Sequence, residues 1–170
     1  MAMFSPKVYE SWKDIQRQKF DTILNVLGKD FIANLFAGRR VLDIGVGFGY
    51  FEEFLHETSI KANIIGIDRD HESAKKCNVP LVIGNANRLP FKSAVFDIIL
   101  AIDSFHSVKS GDFSRVLKKN GIALITMFFN DYNYDKICAD VKDKLVSFDI
   151  ICAFEIRGKE NEYVVLARKL

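Results

Sequence analysis

Three glycines at alternate positions, Gly45, Gly47 and Gly49, follow an apolar run ending in an acid, in the stretch VLDIGVGFGYFEEF. A strand that runs into a glycine-rich turn and then opens a helix leaves backbone N–H groups facing outward, and a ligand can lie directly against the chain. Nucleotide-containing molecules are the usual occupants, bound beyond the carboxyl ends of parallel strands where the strand order reverses. The spacing here is GxGxG, whereas the dinucleotide turn, GxGxxG, needs a glycine where this chain has Tyr50. Asp43, two residues before the first glycine, would oppose a pyrophosphate but suits an amine or another cation. The chemistry indicated is the binding of a cationic small molecule.

A second acid points to a sugar. Asp68 ends IIGID, 19 residues beyond Gly49, and should emerge at the tip of the adjacent strand, where its acceptor-only side chain can take two hydroxyl protons. Asp70 has a blander role as the cap of HESAKKC.

These positions require a particular frame. From Arg40 onward, RVLDIG, NIIGID, PLVIGNA, FDIILAID and GIALITMF are nearly continuous in aliphatic residues, as strands buried on both faces are. FGYFEEFLHE, DHESAKKC and GDFSRVLKK lie between them and read as crossover helices, which predicts an α/β fold with a parallel sheet. Ahead of this core, Ser5 and Pro6 start a helix whose apolar stripe, Val8, Trp12, Ile15, Ile23, Leu24 and Leu27, runs to a left-handed cap at Gly28. A short second helix spans Asp30 to Phe36. Near the end, NYDKICADVKDKLVSF places Ile137, Val141, Leu145 and Phe148 on one helical face. DIICAFEIR and NEYVVLARKL are then joined by only about four residues, too few for a crossover, so they must form an antiparallel hairpin. At 170 residues the chain is expected to be one domain, with a helical segment over 1–38 and the core over 39–170.

VLDIGVGFG, IIGID, GNANRLPFKSAVFDIILAIDSFHSV and RVLKKNGIALITMF, in this order and at these intervals, resemble the class I S-adenosylmethionine-dependent methyltransferases, especially the group similar to ubiquinone and menaquinone biosynthesis methyltransferases. The resemblance covers roughly Val41 to Met127 and the terminal hairpin. It implies a Rossmann-like, doubly wound, mostly parallel seven-stranded sheet and S-adenosylmethionine as cofactor. By similarity, Asp43, Gly45, Gly47 and Gly49 would meet the methionine part of the cofactor, with Asp43 near its amino group. Asp68 would hold the ribose, with Arg69 beside it among the cofactor-binding positions, and Asn85 and Ala86 would meet the adenine. Ala101 to Asp103 would pass beside the sulfonium. Two positions depart from the family: Asn85 stands where many relatives have aspartate, and Val46 where a small residue or cysteine is common.

Methyl transfer from a sulfonium depends mostly on placement. A base is needed only when the acceptor must lose a proton, and His106 and Asp103 in AIDSFHSV are the candidates. The alternatives are a loop-closing role for His106 and a capping role for Asp103. Tyr9 and Trp12 could wall the site; Trp12 sits on the apolar stripe and reads as packing, which leaves Tyr9 as the better lid. Tyr132 and Tyr134 either border the acceptor or simply pack.

Composition narrows the partners. Hydrophobic residues make up 49% and the formal charge is +2, which suits a soluble globular protein and gives no basic stripe for nucleic acid. No apolar run approaches a bilayer's width, and the start lacks a secretory pattern, so a cytoplasmic location and no membrane partner are expected. Cys77, Cys138 and Cys152, like His56 and His71, are scattered without ligand spacing, so no metal site is expected. The expected acceptor is a small molecule. Other readings of the sequence are a protein or RNA acceptor, or a non-catalytic S-adenosylmethionine-binding partner subunit. A homodimer that completes a lean site competes with a broad open cleft, and the glycine spacing disfavours a nicotinamide-dependent oxidoreductase.

Overall fold

The computed structural model describes residues 12–109 and 111–170. The expected helix start at Ser5 and Pro6, with Val8 and the lid candidate Tyr9, lies outside the described residues. In chain order come helices α1 (Lys13–Leu27) and α2 (Lys29–Phe36), strand β1 (Arg40–Ile44), α3 (Tyr50–Glu57), β2 (Asn63–Asp68) and the short α4 (His71–Ala74). Next are β3 (Leu81–Ile83), β4 (Phe96–Ala101), a 3-10 turn (Phe105–Ser107) and α5 (Asp112–Val116). The last elements are β5 (Leu117–Phe129), α6 (Tyr134–Lys144), β6 (Phe148–Ile156) and β7 (Asn161–Lys169).

The strands make one seven-stranded sheet in the order β3-β2-β1-β4-β5-β7-β6. β1 lies between β2 and β4, parallel to both, so Val41 is opposite Ile64 on one side and Ile98 on the other. The direction of winding reverses here, and a crevice must open beyond the carboxyl ends of β1 and β4. The C-terminal hairpin forms as expected, with β7 inserted antiparallel between β5 and β6.

Strand side chains alternate between two cores, one on each face. Val41, Ile98, Leu100, Ile122 and Leu124 pack with Phe20, Ile32, Phe36, Phe51 and Phe54 of α1, α2 and α3. Leu42, Ile44, Ile99, Ala123 and Ile125 pack on the opposite face with Phe105, Phe113, Val141 and Leu145. Asp43 falls in the alternation of Val41, on the face that carries α3. Phe20 meets Phe51 edge-on with ring centroids 5.1 Å apart and Phe54 at 5.5 Å, which pins α1 onto α3. Contacts of this kind contribute about 0.5–1.5 kcal/mol each beyond their buried area.

Several local expectations differ from the structure: Phe148, expected on the last helix, opens β6 and pairs with Lys169, because α6 ends at Lys144. The helix expected over GDFSRVLKK stops at Val116, because Leu117 is already paired with Phe96 and buried in the sheet. Gly28 closes α1 through its N–H to the Leu24 carbonyl at 2.9 Å, but with φ 88° and ψ 133° rather than in the left-handed helical form. The buried face of α1 is Gln16, Lys19, Phe20 and Ile23, an i, i+3, i+4, i+7 stripe that includes two polar residues.

Candidate functional site

The glycine turn is built from positive backbone angles, with φ 78° at Gly45, 53° at Gly47 and 75° at Gly49. Side chains rarely adopt such angles. Gly45 N–H donates to the Ile67 carbonyl at 2.7 Å, which ties the end of β1 to β2. A Cβ at Gly45 would lie 2.5 Å from the Ser104 Cβ, and one at Gly49 would lie 2.5 Å from the Cys77 sulfur. The first and third glycines therefore make room for the protein's own packing, and Gly49 also precedes α3 as its cap residue. Ser104 donates its hydroxyl to the Ile44 carbonyl and so fastens the end of β4 to the end of β1 at the reversal of strand order. Val46, one of the departures from the family pattern, is buried beside Gly66, where a Cβ would come within 2.8 Å of its Cγ1. The missing side chain on β2 accommodates the bulk added to the turn.

Beyond these strand ends lies a cleft of about 380 Å³, within the usual range for small-molecule sites. Asp43, Gly45, Gly47, Asp68, Arg69, Asn85, Ala86, Asp103 and His106 all line it. Gly49 and Ala101 do not; Ala101 is buried in the sheet core. Trp12 forms part of the cleft wall rather than only packing, with Gln16 and Phe20 of α1 beside it. Tyr134 packs against Phe129 at 4.8 Å and Tyr132 is exposed, and neither borders the cleft.

Asp43 is buried, and α3 sets a second acid, Glu52, against it. Oδ1 of Asp43 and both carboxyl oxygens of Glu52 have no hydrogen-bond donor among the described residues. Burial pushes Asp43 well above the usual carboxylate range, and the nearby charges of Glu52 and Asp68 push it further. Burial raises Glu52 as well. On sequence Glu52 looks like an ordinary surface acid of an amphipathic helix, and only the packing of α3 on β1 reveals it.

Asp68 stands at the tip of β2 as expected. Its Oδ2 accepts the Gly47 N–H and its Oδ1 accepts the Asp70 N–H, both at 2.9 Å. Each oxygen keeps a second lone pair for a hydroxyl donor. Asp70 accepts the Glu72 N–H at 3.1 Å, the capping role expected for it. On the far side, Asn85 Oδ1 accepts the Asn87 N–H at 2.9 Å, so the amide oxygen also shapes its own turn. Asn87 then joins that turn to the 3-10 segment, donating to the Ser107 carbonyl at 2.9 Å and accepting the Lys109 N–H at 2.6 Å.

The two candidates for proton transfer have different surroundings. Asp103, at φ 54°, accepts from Gln16 at 2.9 Å, from Thr126 at 2.8 Å and from Lys19. Burial raises its pKa, but the charge of Lys19 and these bonds outweigh that and hold the carboxyl below its usual range. A carboxylate so engaged is a weak base. His106 is exposed on the 3-10 turn and borders the cleft.

The donor set fits S-adenosylmethionine. Buried carboxyl oxygens without donors suit its ammonium, Asp68 its ribose hydroxyls, and the apolar flank of Ile67 and Ala86 its adenine.

Comparison with known proteins gives the same direction. Residues 42–125 match the family described as "Methyltransferase domain". The fatty-acid O-methyltransferase of Mycolicibacterium smegmatis is 28% identical over 139 residues, 73% of this chain and 51% of that protein. The malonyl-[acyl-carrier protein] O-methyltransferase of Legionella pneumophila is 32% identical over 103 residues, 53% of this chain and 36% of that protein. The chain thus spans about half, or less, of the length of these curated relatives. Among solved structures, a SAM-dependent methyltransferase from Aquifex aeolicus superposes with a TM-score of 0.73 at 20% identity, covering 99% of this chain and 100% of that one. No helix among the described residues is long and apolar enough to cross a membrane.

Proposed function

We propose, for a chain that belongs to the class I S-adenosylmethionine-dependent methyltransferases, that the cleft binds S-adenosylmethionine and that the protein transfers its methyl group to a small-molecule acceptor. The observation that carries this reading is the buried Asp43, whose Oδ1 has no donor among the described residues, beside the positive-φ glycine turn, with Asp68 at the next strand tip. When bound, the cofactor supplies a methyl group on a positive sulfur, already activated for displacement.

The chain's own residues bind, orient and exclude water. Asp43 would take the ammonium, the Gly45 to Gly47 backbone would meet the methionine part, and Asp68, which holds the Gly47 N–H, would accept from the ribose. Asn85, Ala86 and Arg69 border the adenosine end. Trp12, the residue before α1, and Gln16 and Phe20 of α1 wall the cleft and would keep water from a bound cofactor. Asp103 positions this wall through Lys19 and Gln16 and does not act as a base. His106 is the residue placed to take a proton from an acceptor that has one to lose. The fatty-acid O-methyltransferase relative supports a small-molecule acceptor; a carboxylate acceptor would be ionised already and would not use that base.

Calorimetric titration with S-adenosylmethionine, followed by incubation of the labelled cofactor with fractionated cell extract, tests the proposal. Micromolar binding with label entering a low-molecular-weight fraction is expected. Absence of binding overturns it, and label confined to protein or RNA redirects the acceptor. A His106→Ala variant with unchanged turnover across pH removes the base role.

A further inference from the structure

Glu52 is an anomaly that methyl transfer does not require. It sits in the first turn of α3, is 8% exposed, borders the cleft, and has neither carboxyl oxygen bonded to a donor among the described residues. Its neighbour across the same wall is Asp43, 2% exposed and equally short of donors at Oδ1. Two carboxylates pressed together in a low-dielectric site cannot both stay ionised. Among the described residues, the titratable groups whose charge reaches the pair give no relief. Asp68 on β2 adds negative charge, and the Cys77 thiol, pushed up to about 11 chiefly by burial, remains neutral. Lys13 is the cation on the adjoining turn of α1, and it bonds Glu53, on the outer side of α3, at 2.8 Å.

We infer that Asp43 and Glu52 share one proton in the free protein and that the ammonium of an incoming ligand takes its place, so that binding at this site expels a proton to solvent. This rests on the reading of the cleft as a cofactor site and adds Glu52 to the binding residues. The pair then works as a selectivity filter. A ligand with an ammonium group replaces the shared proton with a fixed positive charge and leaves both acids ionised. An adenosine compound without that group leaves the pair protonated and gains nothing from it. Affinity for the first kind of ligand rises with pH, by up to tenfold per pH unit, between the pair's pKa in the complex and its pKa in the free protein. Affinity for the second kind is flat over the same span.

S-adenosylhomocysteine, which carries the ammonium, and 5′-methylthioadenosine, which lacks it, are the probes. Each is titrated calorimetrically into the intact protein from pH 5.5 to 8, in two buffers of different ionisation enthalpy, to count protons exchanged. The expected result is release of up to one proton with S-adenosylhomocysteine, none with 5′-methylthioadenosine, and a pH-dependent ratio of the two affinities. In Glu52→Gln burial still raises Asp43 but the charge of Glu52 no longer does, so the release shrinks and moves to lower pH; S-adenosylhomocysteine binding weakens at least tenfold, while 5′-methylthioadenosine binding is unchanged. Equal proton counts and parallel pH profiles for the two compounds in the wild-type protein overturn the inference, whatever the variant does, and leave the cofactor reading standing. Failure of both compounds to bind removes the cofactor reading and this inference with it.

Discussion

Lys19 and Asp103, 84 residues apart in the chain, bond each other where α1 crosses the end of β4. The ammonium also lies 3.3 Å from Glu162 on β7, and both Lys19 and Glu162 are almost fully buried. One cation thus joins the helix that walls the cleft to the strand tip beside it and to the C-terminal hairpin. Removing one partner of a buried ion pair typically costs about 3–5 kcal/mol, because the remaining charge is stranded. Asp103 is 30% exposed and Glu162 is protonated below about pH 8, so Lys19→Met should lower unfolding free energy by less than that, about 2 kcal/mol in urea titrations at neutral pH, and weaken cofactor binding as α1 loosens. Asp103→Asn added to Lys19→Met should recover part of the loss, since one stranded charge disappears. Equal stability of Lys19→Met and wild type would remove the strut.

The same network carries a pH signature. Burial, reinforced by the charge of Asp103 and opposed by Lys19, pushes Glu162 up to about 8. A glutamate in the unfolded chain titrates near about 4.3, so between about 4.3 and about 8 the folded state holds a proton that the unfolded state has lost. Stability therefore falls as pH rises through that window, at up to about 1.4 kcal/mol per unit from this group. Asp43 and Glu52, also raised, add slopes of the same sign. Asp103, held low, contributes in the opposite sense, and its stabilisation is lost in acid. Urea midpoints from pH 5 to 9 should decline in the wild type and decline less in Glu162→Gln. Superimposable profiles would contradict the assignment.

The sheet, the turn and the strand-tip acids could be read from sequence because each depends on local pattern. VLDIGVGFG announces a buried strand and its turn, and a four-residue link leaves the last two strands no choice but a hairpin. Gln16, Lys19 and Glu52 could not be read in the same way. Polar residues on helices usually face water; Gln16 and Lys19 are buried because Asp103 and Glu162 arrive from far along the chain to meet them, and Glu52 because α3 folds back onto Asp43 of β1. Gly49 and Ala101 match family positions, yet a contact with Cys77 and a place in the sheet core, respectively, keep them from the cleft.

Asp68 shows where a role inferred from sequence changes once geometry is known. Sequence alone predicts that Asp68→Ala weakens binding and leaves the fold intact. The carboxylate also accepts the N–H groups of Gly47 and Asp70, so it shapes the turn as well. Hydrogen bonds to a charged group contribute about 1.5–3 kcal/mol each. Asp68→Ala should therefore lose at least tenfold in affinity and about 3 kcal/mol or more in stability together. Asp68→Asn, which keeps one acceptor oxygen, should retain more of the stability than of the affinity. Thermal melts with and without S-adenosylhomocysteine separate the two effects, and a fully stable Asp68→Ala would deny the carboxylate its part in the turn.

Val46 and Gly66 form a matched pair whose coupling is measurable. Alanine at Gly66 would bring its Cβ within 2.8 Å of Val46 Cγ1, so the turn must shift or the strand must bend. Overpacking of this kind costs about 1–3 kcal/mol. Trimming Val46 to alanine removes the contacts at 2.8 and 3.1 Å and leaves its Cβ at 3.0 Å, which a small shift of the turn relieves, and the new methyl at 66 then fills part of the space vacated. Gly66→Ala and Val46→Ala should each destabilise the protein, and the double variant should be more stable than their sum predicts by about 1 kcal/mol. Gly45→Ala offers the contrast, because its φ of 78° is strained for any side chain, and no trimming of Ser104 short of glycine clears the Cβ contact at 2.5 Å. Additive losses at positions 46 and 66 in urea titrations would show that the glycine in β2 is not there to admit the valine in the turn.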